Sequence, residues 1–279
     1  MAYTLVLNSS NVISGSNNTR FQYNFIGGGF RGDNSEICIS QLSIPYAWYN
    51  VSSAYGNNTF SLILPTASTT QTINVTLPDG FYSVTDIQIY IQQTLITNLF
   101  YLIDAGGNYV FPYLLTYSSV YYKVQLICST IPSTLPIGYT QPAGAPALPT
   151  ATAGVQFVLA SSGSIAPIIG YAPGTFGTGV GTVQNFLSTL TPIGSTVNSL
   201  VFRCSLVDNN VVMPSDIMDS CNIDVPFGTN ILYTPTFEKW VKLKTGNYST
   251  LVFSIVDQNL NQIISLDPNI SLTLMIRQK

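Results

Sequence analysis

The chain has 279 residues, of which 46% are hydrophobic and only 8% charged, with a net charge of −3 and no histidine. Ordinary globular chains carry roughly 25% charged residues, so the polar surface here must come from Asn, Ser, Thr, Gln and Tyr, which suits contact with many neighbours better than life as a dispersed monomer. The missing histidine removes His-based triads, His metal sites and the usual general bases, and nine scattered Lys and Arg residues leave no footprint for direct nucleic-acid binding.

Taken from the start, "MAYTLVLNSSN" lacks the charged region and long apolar stretch of a secretory signal. No run of about eighteen apolar residues is present to span a membrane. An intracellular origin is the expectation, and Cys38, Cys128, Cys204 and Cys221, with no CxxC spacing, are expected as free buried thiols. Alternating apolar residues predict strands at 20–26, 36–44, 59–64, 71–77 and 155–159. The "GGG" at 27–29 lacks a GKS/T continuation and reads as a turn. Arg31-Gly32-Asp33 is an RGD tripeptide in "GGGFRGDNS" and is the one candidate receptor-binding motif, weighed against a plain hairpin turn. Tyr46, Trp48, Tyr49 and Tyr55 are candidates either for a sugar-stacking platform or for core and interface packing.

"GFYSVTDIQIYIQQTLITNLF" (80–100) reads as a helix over about 83–100. Ser83 is placed as N-cap with Asp86 near the positive end. Val84, Ile87, Ile91, Leu95 and Leu99 form one stripe, and Gln88 intrudes on it, so that it needs a backbone partner if buried. The helix is expected to pack across an open end or flank of the barrel. "VYYKVQLI" sets Val120, Tyr122, Val124 and Leu126 against Lys123 and Gln125. From about 130 to 198 the chain turns Pro/Gly/Ser/Thr-rich and nearly uncharged, which reads as long ordered loops with a strand inside, inserted in one domain spanning 1–279. Beyond it, alternation returns at Leu200, Phe202, Cys204 and Leu206, at Leu251, Phe253 and Ile255, and at Ile270, Leu272, Leu274 and Ile276. Asp216, Asp219 and Asp224 are the densest carboxylates, but they lack the one-three-five spacing of a calcium loop. Residue patterns thus predict an all-β sandwich or jelly roll of about eight to ten strands, with no catalytic, cofactor-binding or metal residue.

Several blocks together resemble the penton and minor capsid proteins of virophages and related large double-stranded DNA viruses. They are "IPYAWYNVSSAYGNNTFSL" (44–62), "LPDGFYSVTDIQIYIQ" (77–92), "IIGYAPGTF" (168–176), "VNSLVFRCSLVDN" (197–209) and the final "WVKLKTGNYSTLVFSIVDQNLNQIISLDPNISLTLMIRQK" (240–279). The resemblance implies a single jelly roll of two antiparallel sheets, a structural rather than enzymatic role, and a homopentamer closing the five-fold vertex of an icosahedral virion. Its implied partners are further copies of itself and the major capsid protein, with assembly in the host cytoplasm. The competing expectations are a cement-type minor capsid protein between capsomers, or a carbohydrate- or receptor-binding jelly roll.

Overall fold

Alternation at the end of the chain becomes the strand Ser271–Gln278, in which Leu272, Leu274 and Ile276 are buried and Ser271 is exposed. The same period of two, which places every second side chain on one face, buries Leu200, Phe202 and Cys204 of Ser199–Cys204 and Leu251, Phe253 and Ile255 of Thr250–Asp257. The computed structural model describes residues 2–27 and 29–279. It divides into two units, one formed by the chain up to Trp48 together with Val197–Lys279, the other by Tyr49–Thr196.

In the first unit, the described residues form eight strands of four residues or more. In chain order these are Ala2–Leu7, Arg20–Asn24, Ser35–Pro45, Ser199–Cys204, Ile217–Asn222, Asn230–Tyr233, Thr250–Asp257 and Ser271–Gln278. One sheet runs first–eighth–third–sixth and the other second–seventh–fourth–fifth, with all of these pairings antiparallel. That alternation of strands between two sheets is the jelly-roll topology. Leu7, Ile37, Leu42, Leu272 and Leu274 of the one sheet and Phe21, Phe202, Phe253 and Leu251 of the other are fully or almost fully buried. The Phe202 and Tyr233 rings, 5.3 Å apart, join the two layers, and Phe202 stacks on Phe253 at 6.1 Å within its own. The fold is therefore all-β, a jelly roll of two antiparallel sheets.

The second unit is carried in the connection between the third and fourth strands of that jelly roll. One of its sheets takes the order Thr70–Thr76, Asn57–Pro65, Gln156–Leu159, Gly174–Phe176, and another the order Gln184–Leu187, Lys123–Cys128, Tyr113–Ser118. Phe60 stacks on Phe157 at 5.2 Å, and the Tyr113 hydroxyl lies 3.0 Å from the Ile63 carbonyl and 2.8 Å from that of Gln156, tying the two sheets together. The stretch 130–198 contains regular elements of this unit, including Gln156–Leu159, Gly174–Phe176, Gln184–Leu187 and the short helix Ala166–Ile169.

The long helix is Val84–Thr97, with the Ser83 hydroxyl accepting from the Asp86 N–H at 3.1 Å and the Asp86 carboxylate accepting from the Ser83 N–H at 2.8 Å. This reciprocal capping box satisfies two donors that a helix start otherwise leaves open. Asn98 caps the far end and Leu99 takes a left-handed φ of +61°, so the helix stops short of the expected 100. Its buried side chains Ile87, Ile91 and Leu95 belong to the core of the second unit, where the helix packs on Tyr113–Ser118. One further correction concerns the hairpin beyond. Val120 and Tyr122 do not extend the strand, which starts at Lys123; residues 119–122 turn the hairpin, with Tyr122 at φ +52°. Alternation continued through a turn because turn residues and strand residues there are equally apolar.

Candidate functional site

Arg31-Gly32-Asp33 lies where the two-residue strand Phe30–Arg31 meets Asn247–Tyr248. Gly32 donates to the Gly246 carbonyl at 2.9 Å, and a Cβ on Gly32 would sit 2.4 Å from the Lys244 carbonyl oxygen, so only glycine fits this backbone approach. Asp33 accepts from the Gly246 N–H at 3.3 Å and pairs with the Arg31 guanidinium, which is otherwise exposed. The motif thus brings its Arg and Asp together on a ladder end. In the glycine run before it, Gly28 is outside the described residues.

The carboxylates at 216, 219 and 224 do not converge. Asp216 is gripped by Arg203, with Nε at 3.1 Å and Nη2 at 2.9 Å from its oxygens. Asp219, in the strand Ile217–Asn222 rather than a turn, accepts from Lys239 Nζ at 2.7 Å and pairs with the Tyr233 hydroxyl, whose pKa rises through burial first and that carboxylate second. Among the described residues, no group of three His, Cys, Asp or Glu side chains is placed to hold a metal ion. The four cysteines are free; burial pushes the thiols of Cys38 and Cys221 up to about 11 and those of Cys128 and Cys204 to about 12, which keeps them protonated and unreactive at neutral pH.

Tyr46 and Trp48 are buried with ring centroids 4.5 Å apart, so neither face is open to a sugar; they are core residues. Glu36, opposite Arg277 on the neighbouring strand, accepts from Arg277 Nη2 at 2.8 Å and pairs with Lys279 Nζ at 2.5 Å. Arg277 also lies 4.1 Å above the Trp240 ring. The Lys279 hydrogen bond, ahead of the opposing desolvation and assisted by Arg277, lowers the Glu36 pKa below the ordinary glutamate value. A lowered carboxylate pKa stabilises the fold above the unfolded-state pKa, and that stability is lost as pH falls through the folded one. Glu36→Gln is expected to flatten this acid limb of the urea midpoint against pH while leaving the slope near neutrality unchanged.

What residue patterns missed is a set of apolar side chains held in solvent. On the first unit these include Val211 (92% exposed), Met213 (93%), Phe237 (81%) and Leu232 (71%); on the second, Val120 (84%) and Tyr121 (68%) crown the hairpin tip. Leu232 is legible only once Asn230–Tyr233 is known to be a strand, since its neighbours Ile231 and Tyr233 are apolar as well. Exposed apolar residues taken singly are ordinary on a folded surface, and these large ones stand on a chain with only 8% charge.

These side chains stand on an all-β chain whose first unit is a jelly roll of two antiparallel sheets. No family model and no curated protein sequence matches the chain. Among solved structures it is similar to a selenomethionine-labelled mavirus penton protein, at 10% identity and a TM-score of 0.45, with 100% of this chain and 99% of that chain covered.

Proposed function

We propose that the chain is a structural capsid protein of a double-stranded DNA virus, acting in the virion as the penton subunit that closes the five-fold vertices as a homopentamer against the major capsid protein. In this reading residues 1–279 work as one jelly-roll subunit, with the Pro/Gly/Ser/Thr-rich stretch 130–198 as its loop-rich insertion and assembly in the host cytoplasm. The observation that carries it is the set of large apolar side chains, Leu232 and Phe237 foremost, exposed on a jelly roll with few charges to keep copies apart. Side-by-side contact between different faces of identical copies closes into a ring when the rotation allows. An aromatic anchor at the centre of such a contact contributes about 2 kcal/mol or more.

Native mass spectrometry and negative-stain imaging of the purified chain are expected to give five-membered rings. Phe237→Ala and Leu232→Ala should each raise the dissociation constant by about 10–100-fold without changing the monomer's melting temperature. A chain that stays monomeric at high concentration, alone and with major capsid protein, sinks the proposal. In assembled particles, density between capsomers instead of at vertices would assign the cement role.

A further inference from the structure

The outer face of the second–seventh–fourth–fifth sheet carries a row that sequence distance conceals. Ser254 of Thr250–Asp257 pairs with Arg20 on one side and with Arg203 on the other, so the three side chains stand on one face in a line across three strands. The two arginine Cα atoms are about 10 Å apart, twice the spacing between neighbouring strands, close enough for both guanidinium groups to reach one ligand bound over Ser254. Around this row lies a groove of about 410 Å³, lined also by Ser205, Val252, Asp216, Leu260 and Gln262.

Two features mark it as a built site. The register between the fourth and fifth strands shifts at Phe202/Arg203, where Phe202 faces Asp219 and Arg203 faces Ile217. A bulge of this kind re-aims side chains, and here it accompanies the fork in which Asp216 engages Nε and Nη2 of Arg203 and leaves Nη1 unspent. Leu260, at the wall, lies in the tight turn after Thr250–Asp257, where its N–H donates to the Asp257 carbonyl at 2.9 Å and its φ is +65°. Arg20 is exposed and makes no ion pair among the described residues. Two guanidinium groups against one carboxylate leave the groove a net single positive charge, in a chain whose net charge is −3.

We infer that this groove binds a carboxylated saccharide, a uronic or sialic acid residue. Arg20 meets the carboxylate, with the free edge of Arg203 adding a second donor. The hydroxyls of Ser254 and Ser205 and the amide of Gln262, whose Nε2 is fixed by its donation to the Ser16 carbonyl at 2.7 Å, meet sugar hydroxyls. Val252 and Leu260 cover the apolar ring face. A bare inorganic anion would use the arginines but leave the hydroxyl row and the apolar wall without a role.

The test titrates the full chain, by saturation-transfer and chemical-shift NMR, with methyl glucuronide, methyl glucoside and acetate. The first two probes differ only in the carboxylate, and the third is the carboxylate alone. Methyl glucuronide is expected to bind at least tenfold tighter than either, and more weakly as salt is raised. Arg20→Gln, on an exposed side chain, should cut that affinity at least fivefold, and Ser254→Val, which fills the groove floor, should abolish it, with both variants keeping the native melting temperature. Equal binding of the glucoside, equal binding of acetate, or unchanged affinity in a folded Arg20→Gln protein each overturns the assignment. Should Ser254→Val fail to fold, the Arg20 variant decides alone.

Discussion

Replacing Gln88 with leucine is expected to destabilise the 49–196 unit by about 2–4 kcal/mol, even though leucine has nearly the same volume and prefers a helix as strongly. Gln88 is buried on the apolar stripe of Val84–Thr97, and its side-chain amide does the work of a neighbouring strand. Its Oε1 accepts from the Leu115 N–H at 2.7 Å, and its Nε2 donates to the Tyr113 carbonyl at 3.3 Å. Both groups sit on the edge of Tyr113–Ser118 that faces away from its one paired strand, Lys123–Cys128. Leucine would leave a buried donor and a buried acceptor without partners, each costing about 1–3 kcal/mol. Urea denaturation measures the loss, and amide exchange at Leu115 localises it. A variant as stable as the native protein would show that water replaces the amide at this edge.

Gly177→Ala is expected to cost about 3 kcal/mol and to unzip the end of the Gly174–Phe176 strand. Gly177 has φ +91°, and a Cβ there would lie 2.3 Å from the Val155 carbonyl oxygen and 3.2 Å from the Gln156 Cα, both backbone atoms that cannot rotate away. Left-handed strain accounts for about 1–3 kcal/mol, and the forced shift of a strand adds to it. Gly179→Ala is the control, because its φ of +72° carries the strain while no atom lies within 4 Å of the added carbon. The difference in urea midpoint between the two variants measures the close approach alone. Equal destabilisation would mean that Val155 yields at no cost.

Much of the architecture was legible locally. The N-cap Ser83, the burial of Ile87, Ile91 and Leu95, and the need of Gln88 for a backbone partner follow from spacing and hydrogen-bond chemistry, and the structure contains each of them. Strands at 36–44, 59–64 and 71–77 emerge as Ser35–Pro45, Asn57–Pro65 and Thr70–Thr76. Several other strands were not legible. Ala2–Leu7 alternates poorly because, as a sheet edge, it leaves Tyr3 and Val6 exposed. Tyr113–Ser118 is not legible because Leu114 faces solvent while its neighbours Tyr113 and Leu115 are apolar too, which erases the period of two. The saccharide groove escaped for another reason: Arg20 and Arg203 are separated by most of the chain, and neither has a motif around it.

By itself, then, the sequence determined that several segments are extended, where the one long helix begins, and that histidine chemistry is absent, because propensity, capping and periodicity act within a few residues. Only the tertiary structure decided that Ala2–Leu7 lies beside Ser271–Gln278, that Tyr49–Thr196 gathers into its own unit, and that two remote arginines flank one serine. Many strands here have interchangeable apolar faces. Which pairs form is selected by long-range packing and register, and a local pattern records the face of a strand but not its neighbour.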